Sequence, residues 1–348
     1  MKPLFIPFAR IAIAAGLTLA AGAALAQDNA LKFHHMWPTV GMGHKRVVAP
    51  WCDKVAQESN NRLRCQILPA MTGGGTPAQL VDRLKDGVDD FTVTLPGYTP
   101  GRFPIMEAFE LPFMTNSAEV ASAAAWDYLV KYGAKEFPGS KVLATWVHDP
   151  GFISTSGKAI NRIEDFKGQK IRAASRQSSK LLARLGATPV GMPITAVADA
   201  MNKGTIDGFL TAWEIVPPFK LHEVSKFHTE IDNSRPALFT AGFVFMMNEA
   251  KFESLAPDLK EIINRNSGAE LSRTIGRYWD EATAAGRAAA KERGNTFVAI
   301  SAAESDRWIK AAQPLYEEWV ADMDKKGLPG KQMLQDARDM IAKHGKGN

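Results

Sequence analysis

Cysteine is scarce. The 348-residue chain holds two, Cys52 and Cys65, and neither stands in a Cys-x-x-Cys pair of the kind that holds zinc or cycles redox. Histidine is little more abundant, at seven. His34, His35 and His44 lie close together, but adjacent residues of a strand point to opposite faces, so His34 and His35 do not converge on one ion. No carboxylate stands near them at a zinc-like spacing, and no metal is expected. Gly-x-Ser-x-Gly and His-Glu-x-x-His are both missing, and neither cysteine lies beside a base. That removes the machinery of a secreted hydrolase, and the expectation is a protein that is not an enzyme.

Phosphate loops are missing too. Gly73-Gly74-Gly75-Thr76-Pro77 lacks the Gly-Lys-Ser/Thr ending, and reads as a turn with Thr76 capping a short helix and Pro77 at its first position. Residues 151–158 miss the spacing by one, and Ala159 stands where a hydroxyl is required. No cofactor is expected. No basic run alternates with aromatics, and the formal charge is only +5, which excludes a nucleic-acid partner. Apolar runs long enough to span a bilayer are lacking, the longest candidate being residues 11–20.

That short run has a meaning of its own. Lys2 and Arg10 precede or open it, and Ala24-Leu25-Ala26 is a small-x-small site. Residues 1–26 therefore read as a secretory signal cleaved after Ala26, with the mature chain starting at Gln27 and the charge falling to about +3. The compartment is oxidising, which opens a pairing of Cys52 with Cys65. A helix over 45–57 and a strand over 62–68 place both thiols toward one core layer, and a turn at 59–61 reverses the chain between them. A disulfide and two buried thiols both fit this layout.

The remaining length exceeds a usual single core, so two domains are the default. The most ordered pattern runs from Asp165 to Glu214. It reads as strand (170–173), helix (178–185), strand, helix (196–203) and strand (206–210), with Gly186 and Gly204 as stops. Strands alternating with short helices make parallel α/β units, which bind ligands beyond the carboxyl ends of their strands. Arg172 and residues 211–214 fall at such ends and face one crevice.

Three blocks of this stretch, Gly168-Gln-Lys-Ile-Arg172, Gly186-Ala-Thr-Pro189-Val-Gly-Met192 and Gly204-Thr-Ile-Asp207-Gly208, carry a resemblance. Their order and spacing resemble the solute-binding proteins of tripartite ATP-independent periplasmic (TRAP) transporters. The resemblance covers nearly the whole mature chain. It implies an α/β, two-lobed periplasmic binding protein fold with crossover strands and a long helix spanning both lobes, here the helical segment 257–293. Lobe I would take residues 27–149 plus 238–277, and lobe II residues 150–237 plus 278–348. It implies a periplasmic monomer that captures a small organic acid and delivers it to TRAP membrane permease subunits. Binding components of ABC-type or tripartite tricarboxylate systems share such a two-lobed fold and are the alternative.

The resemblance also assigns residues. The arginine that pairs with the ligand carboxylate falls on Arg172. A second arginine of the sialic-acid-binding branch falls by register on Phe152, and a strand-end asparagine falls on Thr211. The turn that faces ligand is Leu95-Pro96-Gly97-Tyr98, without charge. His35 and Trp37, alternate residues just after the first strand, either line the cleft or pack in the core. With Trp213 these give a ligand set of Arg172, Phe152, Thr211, Trp213, Trp37, His35, Tyr98 and Pro96. One cation among aromatic walls suits a monocarboxylate, aromatic or 2-oxo/2-hydroxy, better than a dicarboxylate or sugar acid. Lys158, Arg176, Arg235 and His35 are the side chains able to add a second positive charge.

Overall fold

The computed structural model describes residues 30–346, so the expected signal peptide lies outside the described residues. The chain lays down β1 (Ala30–His35), β2 (Arg64–Leu68), β3 (Phe91–Thr94) and β4 (Ser140–Val147). It then crosses through residues 148–151 and builds β5 (Phe152–Thr155), β6 (Lys170–Ala173), β7 (Thr188–Gly191), β8 (Gly208–Thr211) and β9 (Phe227–Glu230). It crosses back for β10 (Gly242–Asn248), and a third time before β11 (Thr296–Ala299). Two sheets result. The first has the order β2-β1-β3-β10-β4 and the second β11-β9-β5-β8-β6-β7. In each, one returning strand lies antiparallel between others: β10 against β3 and β4, and β5 against β8 and β9. Each of these strands follows a crossing, residues 148–151 before β5 and residues 231–241 before β10, so non-strand segments join the lobes there.

Local chemistry explains the elements. Ser175 caps the helix Arg176–Leu185 by accepting the Ser178 N–H, and Gly186 ends it at φ +96°. Leu181, Leu182 and Leu185 face the core of the second sheet. Ser117 caps the helix Ala118–Tyr128 by accepting the Val120 N–H. Cys52 and Cys65 form a disulfide that ties the helix Ala49–Glu58 to β2, an edge strand of the first sheet. His34 and His35 do point apart: the first meets Asp89 at 3.1 Å, the second meets His44 at 3.2 Å. Trp308 and Trp319 are fully buried, their indole N–H groups donating to Glu304 and to the Pro104 carbonyl.

The helical segment expected over 257–293 is two helices, Pro257–Arg265 and Ala269–Glu292, because Gly268 takes φ +96° and breaks it. The longer one touches both lobes. A Cβ on Gly276 would sit 2.5 Å from the Ala118 carbonyl in the first lobe, and one on Gly286 would sit 2.1 Å from the Trp213 carbonyl in the second. The C-terminal helix Gly330–Gly345 packs against Ala118–Tyr128, with Lys343 and His344 on Asp127. Among the described residues no helix is long and apolar enough to cross a membrane.

Candidate functional site

A cavity lies where the carboxyl ends of β1, β3, β6 and β8 approach each other between the sheets. It encloses about 370 Å³ between atoms, counting the part that opens toward solvent. Trp37 and Leu95 enter from the first lobe, Arg172, Ile194, Thr211 and Glu214 from the second, and His148, Phe239 and Phe243 from or beside the crossings. The lining is mostly apolar with a few polar groups, which is how small-molecule sites are built.

Arg172 sits at the end of β6 and is 2 % exposed. Its Nε donates to the Met192 carbonyl at 2.9 Å and its Nη1 to the Leu210 carbonyl at 3.0 Å. Two backbone acceptors thus fix the plane of the guanidinium, and the Tyr98 hydroxyl lies beside it, accepting the Ile194 N–H at 3.3 Å. Burial lowers the pKa of Arg172, yet an arginine stays charged in proteins. Among the described residues no carboxylate pairs with it. Burial pushes the carboxyl of Glu214, in the same lining, well above the carboxylate range. His148 is held down to about 4 by burial, and its Nδ1–H donates to the Asp149 carbonyl at 2.5 Å, so it is neutral. The cavity therefore carries one positive charge set among apolar surface.

Of the eight residues expected at the site, Arg172, Thr211, Trp37 and Tyr98 meet in this cavity and four do not. Phe152 and Trp213 stack on each other at 3.8 Å, outside the cavity lining. Phe152 pairs with Thr211 and shares a sheet face with Phe209 and Trp213, but the Phe152–Trp213 stack packs onto His228 and Phe297, with the Trp213 indole donating to Glu230. Phe152 faces a separate cavity with Pro150 and Glu230. His35 is fully buried against His44, and burial holds it down to about 3, so it offers no charge. Pro96 faces a neighbouring space with Glu107 and Glu110. The other cations held in reserve are engaged elsewhere: Lys158 with Asp165, Arg176 with Glu107 and Asp322, and Arg235 with Asp306. Sequence reading did not single out His148, Phe239 or Phe243. They reach the cavity from the crossings, and only the sheet order brings the crossings there.

A cleft between two lobes joined by crossing segments, closed over one oriented guanidinium, defines a receptor for small anions. The model of the bacterial extracellular solute-binding protein family 7, DctP, matches residues 33–322, and the chain belongs to that family of TRAP solute-binding proteins. The family is periplasmic and works with membrane permease components. A TRAP solute-binding protein of Rhodoferax ferrireducens, solved with copurified benzoate, is 46 % identical with a TM-score of 0.89, over 91 % of this chain and 98 % of that one. A marine metagenome TRAP solute-binding protein, solved with 3-hydroxybenzoate, is 43 % identical with a TM-score of 0.88, over 90 % of this chain and 98 % of that one. A solute-binding protein of Albidiferax ferrireducens is 28 % identical over 269 residues, 74 % of this chain and 77 % of that one.

Proposed function

We propose that this protein is the periplasmic receptor for an aromatic monocarboxylate, which it hands to a TRAP permease without chemical change. One observation carries the reading. Arg172 is a buried guanidinium, oriented by two carbonyls, with no carboxylate partner among the described residues and an aromatic wall around it. A planar fork of this kind binds both oxygens of a carboxylate. Trp37, Tyr98 and Phe243 then cover a ring, whose burial contributes about 25 cal/mol per Å². Thr211, at the end of β8, adds a hydroxyl. The benzoate and 3-hydroxybenzoate bound by the two structural relatives support the same ligand class. The lobes are residues 27–149 with 238–277 and 150–237 with 278–325, hinged at the crossings, and the C-terminal helix rides on the first lobe. The mature receptor begins at Gln27 and acts as a monomer.

Calorimetry tests this. Arg172→Ala removes one partner of a desolvated ion pair, a change worth roughly 3–5 kcal/mol, so benzoate affinity falls more than about a hundredfold. Competition adds ligand class: benzoate outbinds succinate, because a second carboxylate finds no second cation. Benzoate bound by Arg172→Ala as tightly as by the natural chain, or succinate preferred, removes the reading.

A further inference from the structure

Asp149 and Glu214 meet at the wall of this cavity. Asp149, in the crossing between β4 and β5, is fully buried. Glu214, in the turn after β8, lines the cavity with Arg172 and is 7 % exposed. Two neighbouring carboxyls shut off from water do not both ionise. Their surroundings divide the roles. Asp149 Oδ2 accepts the Trp213 N–H at 3.2 Å and the Thr283 hydroxyl at 2.7 Å, donors that favour a carboxylate. Asp149 Oδ1 and Glu214 Oε2 are both closed to solvent and lack hydrogen-bond partners. A proton carried by Glu214 and shared with Asp149 satisfies both. It leaves the other Glu214 oxygen as an acceptor at the cavity wall.

We propose that Glu214, held as a neutral acid against Asp149, reads the substituent of the bound acid. It accepts a hydrogen bond from a ligand hydroxyl and disfavours ligands whose substituent only accepts, an ether or a second carboxylate among them. The inference rests on the receptor reading above.

The titratable groups around the pair agree with it. Arg172 and Tyr98 share the cavity, His148 adjoins Asp149 in the crossing, and Asp280 lies one turn before Thr283 on the helix Ala269–Glu292. Burial raises both Asp149 and Glu214, the charge of Asp149 raises Glu214 further and that of Asp280 raises Asp149; the Trp279 indole and the Ile215 amide are the further polar neighbours of Glu214. Asp280 is raised by burial as well, and His148 stays neutral. The pair thus holds one negative charge until alkaline pH removes its proton. A second charge then stands in the wall and repels every carboxylate ligand.

Calorimetry with 3-hydroxybenzoate and 3-methoxybenzoate, at about pH 6 and about pH 9, tests this. The natural chain prefers the hydroxyl by about fivefold, the worth of one buried hydrogen bond, and binds both acids more weakly at the higher pH. Glu214→Leu abolishes the preference. Glu214→Gln keeps an acceptor, so it keeps the preference, but its affinity no longer drops at the higher pH. A Leu variant that still prefers the hydroxyl overturns the inference. If that variant does not fold, a Gln variant that weakens at the higher pH as much as the natural chain overturns it. Failure of the natural chain to bind either acid removes the receptor reading; equal binding of the two removes only this one.

Discussion

Four residues separate Arg172 from Arg176, and the two guanidiniums meet different fates. Arg172 has no acid. Arg176 donates from Nε and Nη2 to Glu107 at 3.1 and 2.5 Å, and from Nη1 to Asp322 at 2.7 Å, while Gln177 adds a bond to Glu107 at 2.8 Å. Glu107 is 5 % exposed. Its neighbour Glu110 is pushed up to about 8, first by burial and then by the charge on Glu107. Arg176 therefore neutralises an acid that water does not reach, and it does so across the two lobes. Arg176→Gln leaves Glu107 charged and unpaired, which costs roughly 3–5 kcal/mol. Urea denaturation reads that loss. Because the contact also holds the lobes together, solution scattering on the unliganded variant shows a larger radius of gyration. A variant as stable and as compact as the natural chain contradicts this account. The two arginines also show what was legible at this scale. Arg172 stood out through its block and its strand-end position. The partners of Arg176 were not legible, because Glu107 lies 69 residues away in the other lobe. Phe152 and Trp213 were misplaced for a related reason: the side chains they pack against, His228 and Phe297, lie far along the chain.

The helix Ala269–Glu292 shows the same limit at the scale of elements. A helical segment over these residues was expected, and Ile275 lies on its buried face. Gly276 and Gly286 stand inside it, where a glycine ordinarily weakens a helix and lets it bend. In the structure they are its points of closest contact, with the Ala118 backbone and Ser122 on one lobe and the Trp213 backbone on the other. Sequence spacing cannot tell a glycine that loosens a helix from one that lets another backbone approach. Substitution separates the two. In an open helix Gly→Ala gains about 1 kcal/mol from propensity. At Gly286 the new methyl meets backbone at 2.1 Å, which cannot be relieved by a rotamer. Gly286→Ala is therefore destabilising by about 1–3 kcal/mol, the usual cost of overpacking. It also weakens ligand binding, because the turn it displaces follows Thr211 and carries Glu214. A higher melting temperature in Gly286→Ala would return the glycine to the role of a weak point.

At the scale of the molecule, two sets of buried titratable groups oppose each other. Glu110 is pushed up to about 8 and Glu136 up to about 7, both chiefly by burial. His35 is held down to about 3, and His148 and His228 to about 4, by burial again. Each acid contributes stability that is complete below its ordinary value of 4.5 and is lost as pH rises through the folded value. Each histidine contributes stability that is complete above its ordinary value of 6.5 and is lost as pH falls toward its folded value. Between about 4.5 and 6.5 the two slopes oppose. Above that window only the acids act, and stability falls toward pH 8. Below it the histidines must charge, and ion-paired acids such as Asp165, lowered by its bond to Lys158, lose their partners too. Thermal melts from about pH 4 to about pH 9 therefore show a maximum near pH 5–6. Glu110→Gln removes one charge that alkaline pH would force into the space between Gly97, Ser175 and Gly242, so its alkaline limb is shallower than that of the natural chain. Stability that climbs through pH 8 contradicts the opposition of the two sets, and an unchanged alkaline limb in Glu110→Gln takes that residue out of it.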